Sequence, residues 1–271
     1  MASYPTIALL TDFGQHDWFV GVMHGVIRRI APPVRVIDLC HNVPPQDVRT
    51  AAFVLDCSYQ YFPDRTVFCC VVDPGVGTER AALCATDGRF CFVAPDNGLL
   101  TLVMQRAGAG WSAWKATNQR FFLPAVSATF QGRDVFSPLA AHLAMGTSLT
   151  DIGERVDSIA TLSVSRPRLS EDRLAVEGEV AYVDQFGNLI TTIQRQDAEG
   201  FPGNLRASHN WELLVNGRRL KGLARTFGEL PAGEALFYWG SADYLEIGVN
   251  HGSAQQLFGA KPGTPVRLEL G

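Results

Sequence analysis

The six cysteines of this 271-residue chain form no CxxC pair. They are Cys40, Cys57, Cys69, Cys70, Cys84 and Cys91, and five of them sit inside apolar runs. That placement argues against a disulfide framework or a metal cluster and for buried free thiols. The six histidines lack zinc-ligand spacing. There is no block of Lys and Arg, and the net charge is −4, which argues against nucleic acid and anionic membrane as partners. No apolar run approaches the ~20 residues that cross a bilayer. Met1-Ala2-Ser3-Tyr4-Pro5 leads straight into a strand-like run without a basic, apolar signal segment, so a cytoplasmic protein is expected. Repeats and low-complexity segments are absent too.

What remains is a globular chain, 46% hydrophobic and 18% charged, long enough for one large domain or two modest ones. Residues 6–10 read as a short strand. Residues 17–30 carry apolar side chains at helical spacing (Phe19, Val22, Met23, Val26, Ile27, Ile30), stopped by Pro32-Pro33. A strand at 34–39, a helix at 47–61 and a strand at 66–72 follow. This alternation predicts a mostly parallel sheet with helices on its faces. A further strand at 89–94 precedes the turn Pro95-Asp96-Asn97-Gly98, and residues 136–145 form an apolar helix. Residues 166–172 read as a linker. Beyond it, short strands are expected at 174–183, 188–193, 211–215, 235–239, 244–249 and 266–270, which suit an antiparallel barrel or sandwich. The predicted organisation is an α/β domain over 1–165 and a smaller β-barrel domain over 166–271.

The segment Val71-Val72-Asp73-Pro74-Gly75-Val76-Gly77-Thr78-Glu79-Arg80 is the most informative. A buried strand ends in an acid, a proline and two glycines, the kind of strand-end turn where open α/β sheets bind ligands. Asp73 and Arg80 are either a salt bridge pinning the loop or a polar site orienting a small nucleophile. No Gly-Lys-Ser/Thr follows, so this is no Walker loop. Asp12, in Thr11-Asp12-Phe13-Gly14, is either a turn or helix-capping acid or an acceptor for a ribose diol. Asp17 equally suits a helix start. Arg133 and Asp134 read as a helix-start ion pair. Asp184-Gln185-Phe186-Gly187-Asn188 reads as a hairpin turn, in which Phe186 is left partly exposed.

In this order, these motifs make the chain resemble the S-adenosylmethionine (SAM) hydroxide adenosyltransferases, relatives of the fluorinase and chlorinase. The resemblance rests on Thr11-Asp12-Phe13-Gly14, Val72 through Gly77, Ala94-Pro95-Asp96-Asn97-Gly98, Thr129-Phe130 with Gly132-Arg133-Asp134, Asp184 through Asn188, and Leu245-Glu246-Ile247 through Asn250. It implies hydrolysis of SAM to adenosine and methionine, with no metal or redox cofactor. It also implies a homotrimer with active sites between the N-terminal domain of one subunit and the C-terminal domain of the next. By resemblance, Asp12 holds the ribose hydroxyls, and Asp17 and Asp184 face the methionine ammonium. Phe130 is a substrate-binding residue, Phe186 helps wall the site, Asn188 binds the adenine, Ser241 lies near the amino-acid end, and the backbone from Asn250 to Ala254 lies near the base. Asp73 and Arg80 match two members of a water-handling triad. The third is usually His and is Gln131 here, a side chain that cannot take a proton near neutral pH. A halogenase, a SAM-binding protein without turnover, and an α/β protein for another nucleoside are the competing readings.

Overall fold

The computed structural model describes residues 5–171, 174–198 and 211–270, with the side chain of residue 270 left aside. Residues 1–4 and position 172 of the expected linker lie outside the described residues. The chain divides into two compact units, Met1–Leu162 and Ser163–Gly271.

The first unit opens with β1 (Thr6–Thr11), α1 (Phe19–Ile30), β2 (Arg35–Cys40), α2 (Val48–Ser58) and β3 (Val67–Val71). It continues through β4 (Ala82–Thr86), β5 (Cys91–Pro95), α3 (Thr101–Ala107), β6 (Ser112–Ala116), α4 (Ser137–Ala144) and β7 (Gly153–Val156). The sheet order is β2-β1-β3-β5-β4-β6-β7. The pairs β2-β1, β1-β3 and β3-β5 are parallel, as the strand–helix alternation predicts. The other half is antiparallel, because β4 turns directly into β5 at Asp87-Gly88 instead of crossing over through a helix. β1 and β3 are buried at every position, since helices cover both faces. Their side chains alternate between two cores. Ile7, Leu9, Val67 and Cys69 pack with Met23 and Ile27 of α1 and Leu139 of α4. Ala8, Leu10, Phe68 and Cys70 pack with Ala51 and Leu55 of α2 and Val103 of α3. Period-two alternation thus sends the adjacent thiols of Cys69 and Cys70 to opposite faces. All six cysteines are free, and burial pushes the Cys69 thiol up to about 12 and holds Cys70 and Cys84 far above the ordinary thiol range.

The second unit is an antiparallel sheet of β8 (Arg168–Leu169), β9 (Ala175–Val183), β10 (Leu189–Gln194), β11 (Trp211–Val215), β12 (Arg218–Lys221), β13 (Ala235–Trp239), β14 (Tyr244–Val249) and β15 (Pro265–Leu270). Its order is β12-β11-β15-β9-β10-β14-β13, with β8 on β9. A bridge from Leu223 beyond β12 to Phe237 of β13 brings the two edges together, so the sheet nearly closes into a barrel. Its interior holds Val176, Leu189, Ile193, Trp211, Phe237, Ile247 and Leu268. The expected linker is partly a strand: Arg168 and Leu169 pair with Glu177 and Val176.

Candidate active site

In the first unit the sheet reverses its direction of growth at β1, which has β2 on one side and β3 on the other. The carboxyl ends of strands at such a switch point are where open α/β sheets bind ligands. Thr11 lies beside Val71 in the parallel register, so Asp12 and Asp73 leave the sheet from neighbouring strand ends.

Asp73 and Arg80 form the bidentate pair that their spacing allows. Arg80 Nε donates to Asp73 Oδ1 at 2.9 Å, and Nη2 donates to Asp73 Oδ2. The side chains are only 6% and 11% exposed, so this is a buried ion pair. The guanidinium lies over the Phe136 ring, 5.1 Å from its centroid. Arg80 Nη2 also donates to Gln131 Oε1 across 51 residues of chain. Two contacts make this meeting possible. Asn97 Nδ2 donates to the Val72 carbonyl at 2.8 Å and secures the end of β3, which explains the Pro95-Asp96-Asn97-Gly98 turn. Gly77, at φ +80°, lies so close to the loop before Gln131 that a Cβ would stand 2.6 Å from the Ala128 carbonyl oxygen.

Gln131 immediately precedes a π-helical turn, Gly132–Phe136, that runs into α4. π-turns recur at functional sites because they re-aim side chains. Gly132 fits against Phe13, Phe130 and Met23, where a Cβ would be tightly pressed. Phe130 is itself buried, with its ring 5.0 Å from Phe19 and 6.0 Å from Phe13. Arg133 and Asp134 are the expected ion pair at 2.6 Å. Burial works against the Asp134 charge. Hydrogen bonds from Arg133 and the Ser127 N–H outweigh it and hold the carboxyl below its ordinary range.

Asp12 is half-buried, and its Oδ2 accepts from the Gln46 N–H at 2.8 Å. Neither Asp12 nor Asp17 caps α1. The N-cap residue is Trp18, which makes no side-chain cap bond. Asp17 is exposed.

In the second unit Asp184 through Asn188 is the expected hairpin turn between β9 and β10. Asp184 organises it: Oδ1 accepts from the backbone N–H groups of Phe186 and Asn188, each at 2.9 Å, and Oδ2 accepts from Asn188 Nδ2 at 2.8 Å. Phe186 is 68% exposed. Gly187 joins this turn to the start of the short helix Ala254–Phe258: its carbonyl accepts from Gln255 N at 2.8 Å, and a Cβ on it would stand 2.1 Å from Ser253 Oγ. Asp184, Asn188 and buried Ala254 therefore belong to one cluster of loops. Asn250 lies in the turn after β14, where its Nδ2 donates to the Leu230 carbonyl at 2.7 Å. Ser241 is exposed in the turn between β13 and β14. Sequence reasoning gave no role to Glu246, whose Oε2 accepts from Tyr238 OH at 2.8 Å. Burial first, and the neighbouring Asp184 charge second, raise its carboxyl pKa against the opposing pull of Tyr238.

The site thus lies in a two-unit protein, a switch-point α/β unit with a buried carboxylate–guanidinium–carboxamide cluster followed by a near-closed β-barrel. The chain belongs to the SAM hydroxide adenosyltransferase family: residues 7–153 match its N-terminal domain and residues 178–267 its C-terminal domain. It is 40% identical to the (R)-S-adenosyl-L-methionine hydrolase of Salinispora arenicola, with all of both chains covered. It is 28% identical to a fluorinase of Nocardia brasiliensis, over 98% of this chain and 97% of the other. The crystal structure of an uncharacterized conserved protein from Thermotoga maritima superimposes with a TM-score of 0.88 at 39% identity, over 97% and 99% of the two chains.

Proposed function

We propose that this chain hydrolyses S-adenosyl-L-methionine to adenosine and L-methionine. Water or hydroxide attacks the 5′ carbon of the ribose. The carbon–oxygen bond forms as the carbon–sulfur bond breaks, methionine leaves with the sulfur electron pair, and one proton goes to solvent. The sulfonium is already a good leaving group, so no general acid, metal or redox cofactor is required. Holding the nucleophile in line is the principal task, and such positioning is worth up to ~7–11 kcal/mol.

The observation that supports this reading is the Asp73–Arg80–Gln131 cluster. Arg80 can only donate, so Gln131 gives it the carbonyl oxygen and turns its NH₂ away. That NH₂ has no hydrogen-bond partner among the described residues. Gln131 then donates to the oxygen of the nucleophile, and the remaining lone pairs of Asp73 accept its hydrogen. Arg80 stays protonated and fixes both. On the same reading Asp12 takes the ribose diol, Asp17 and Asp184 the ammonium, and Asn188 the adenine, while Phe130 binds substrate and Phe186 helps wall the site. Ser241 lies at the amino-acid end, and the backbone of Asn250 and Ala254 near the base. The homotrimer with sites between subunits and a cytoplasmic location belong to this proposal too, and light scattering of the purified protein tests the first. Among the described residues no helix is long and apolar enough to cross a membrane.

The deciding experiment supplies SAM in ¹⁸O-labelled water and looks for adenosine carrying the label. Unlabelled adenosine or none sinks the proposal, and 5′-halo-5′-deoxyadenosine in the presence of halide transfers it to a halogenase.

A further inference from the structure

Behind the Asp12 loop lies a polar chain that hydrolysis itself does not use, buried at Thr11 and His41 and reaching the surface at Asp38. Thr11 is fully buried and His41 is 2% exposed. Thr11 Oγ1 and His41 Nδ1 are 2.8 Å apart, across 30 residues of sequence. The other ring nitrogen, Nε2, lies 3.0 Å from Asp38 Oδ1, off the line of a good hydrogen bond. His24 Nε2 approaches the same oxygen at 2.7 Å. Burial opposes the Asp38 charge, yet the two histidines hold its carboxyl below the ordinary range.

The Asp38 charge assigns a direction to the chain. A bare Nε2 lone pair would be repelled by the Asp38 carboxylate 3.0 Å away, so the His41 proton is assigned to Nε2 by that charge and not by an aligned hydrogen bond. Nδ1 is then an acceptor, and the Thr11 hydroxyl donates to it. With its hydrogen committed, Thr11 Oγ1 presents lone pairs to the Phe13 N–H, which donates to it at 3.2 Å. The backbone carbonyl of His41 accepts from Gly14 N at 2.8 Å. The same segment, 41–46, ends at the Gln46 N–H that holds Asp12 Oδ2. Asp12 is therefore held from two sides: through Thr11 and Phe13 by the His41 ring, and directly by Gln46.

We infer that His41 is a positioning residue, which through Thr11 sets the loop that aims Asp12 at the ribose diol of the substrate. The inference rests on the proposed hydrolase reading for the ribose but not for the loop. His41 touches no substrate, and what it supplies is a fixed acceptor in a place where water cannot replace it. A buried acceptor lost without substitute leaves the Thr11 hydroxyl unpaired. The loop then samples positions from which Asp12 misses the diol. Contacts to the unreacting ribose hydroxyls are made equally before and in the transition state, so their loss raises KM and spares kcat.

The test compares His41→Leu, Thr11→Val, the double variant and His41→Asn with the wild type. Each is assayed for SAM turnover and for amide hydrogen exchange at Phe13. His41→Leu and Thr11→Val are each expected to raise KM about tenfold, with kcat little changed, as the loss of one buried hydrogen bond implies. The double variant is expected to be no worse than either single one, because both break the same chain. His41→Asn, which returns a hydrogen-bonding group to the Nδ1 position, recovers most of the KM, and Phe13 exchange speeds up in the two single variants. A merely structural histidine would instead lower kcat and melting temperature together and leave KM alone. An unchanged KM in His41→Leu, or fully additive effects, overturns the inference. If the wild type makes no adenosine, the hydrolase reading falls by itself. Phe13 exchange then decides the relay, and unchanged protection in His41→Leu overturns it.

Discussion

Gln131 offers its carbonyl oxygen to Arg80 and so keeps its amide nitrogen as the uncommitted donor of the cluster. Nothing in that arrangement titrates at position 131. The first prediction follows from this. Gln131→Leu removes the donor without adding charge, and kcat is expected to fall ~100-fold, the scale found when one preorganised donor at a reacting oxygen is lost. Gln131→His is expected to keep or raise turnover. It adds an imidazole, whose charge changes between about pH 5 and 8, so its pH–rate profile gains an inflection that the wild type lacks. Steady-state assays in labelled water across that range check both statements.

Asp73 and Arg80 also carry stability, because both side chains are almost fully buried. Asp73→Ala abandons a guanidinium in the interior. Breaking a buried pair from one side costs about 3–5 kcal/mol. Replacing both partners with apolar side chains, as in Asp73→Leu with Arg80→Met, is expected to restore most of that loss while leaving the protein inactive. Urea unfolding and turnover measured together separate the two roles. A double variant as unstable as Asp73→Ala would show that the pair is not the source of the loss.

Much of this fold is legible in the sequence where periodicity is clean. β1, α1, α2 and β3 stand within a few residues of their predicted places, because helical and strand spacing there match their burial. β4 and β6 escape such reading. Ala82-Leu83-Cys84-Ala85-Thr86 and Ser112-Ala113-Trp114-Lys115-Ala116 are short and rich in small residues, with little intrinsic strand preference, and they owe their conformation to the strands beside them. The site divides in the same way. Asp73 and Arg80 lie seven residues apart on one loop and announce each other. Gln131 enters only through the order of motifs, and His41 not at all, because its partners Thr11 and Asp38 come from two different strands.

Glu246 gives a pH prediction. Burial and the Asp184 charge raise its folded pKa above the ordinary carboxylate value. A carboxyl whose pKa rises on folding binds its proton more tightly in the native state. Its favourable contribution is present below the unfolded pKa and is lost as pH rises through the folded one. Above that range the partly buried carboxyl therefore costs the native state stability. Glu246→Gln, which still offers Tyr238 an oxygen, is expected to raise the melting temperature at pH 7.5 and to lose that advantage near pH 4. Asp184→Asn, which removes the second cause, shifts the transition to lower pH. A pH-independent difference between Glu246→Gln and wild type would remove the argument.

Gly77 connects loop geometry to chemistry. Its positive φ is strained for any other residue, and the Ala128 carbonyl occupies the space a Cβ needs. Gly77→Ala therefore costs more than ~1 kcal/mol of stability, the penalty of a side chain at positive φ. The larger effect falls on the reaction, because relief of the clash pushes the 73–80 loop away from the segment that leads into Gln131. The contact between Arg80 and Gln131 lengthens, and the nucleophile loses its fixed donor. The expected result is a fall in kcat with KM for SAM little changed, since the residues proposed to hold the ribose and the methionine lie outside this loop. Gly75→Ala is the control: a Cβ there touches the side chains of Arg80, Thr78 and Asp73 only at ordinary contact distances, 3.4 Å and beyond, and meets no backbone. It is expected to keep more activity than Gly77→Ala. Equal losses in the two variants would mean that general loop rigidity, and not the approach to Ala128, governs the cluster.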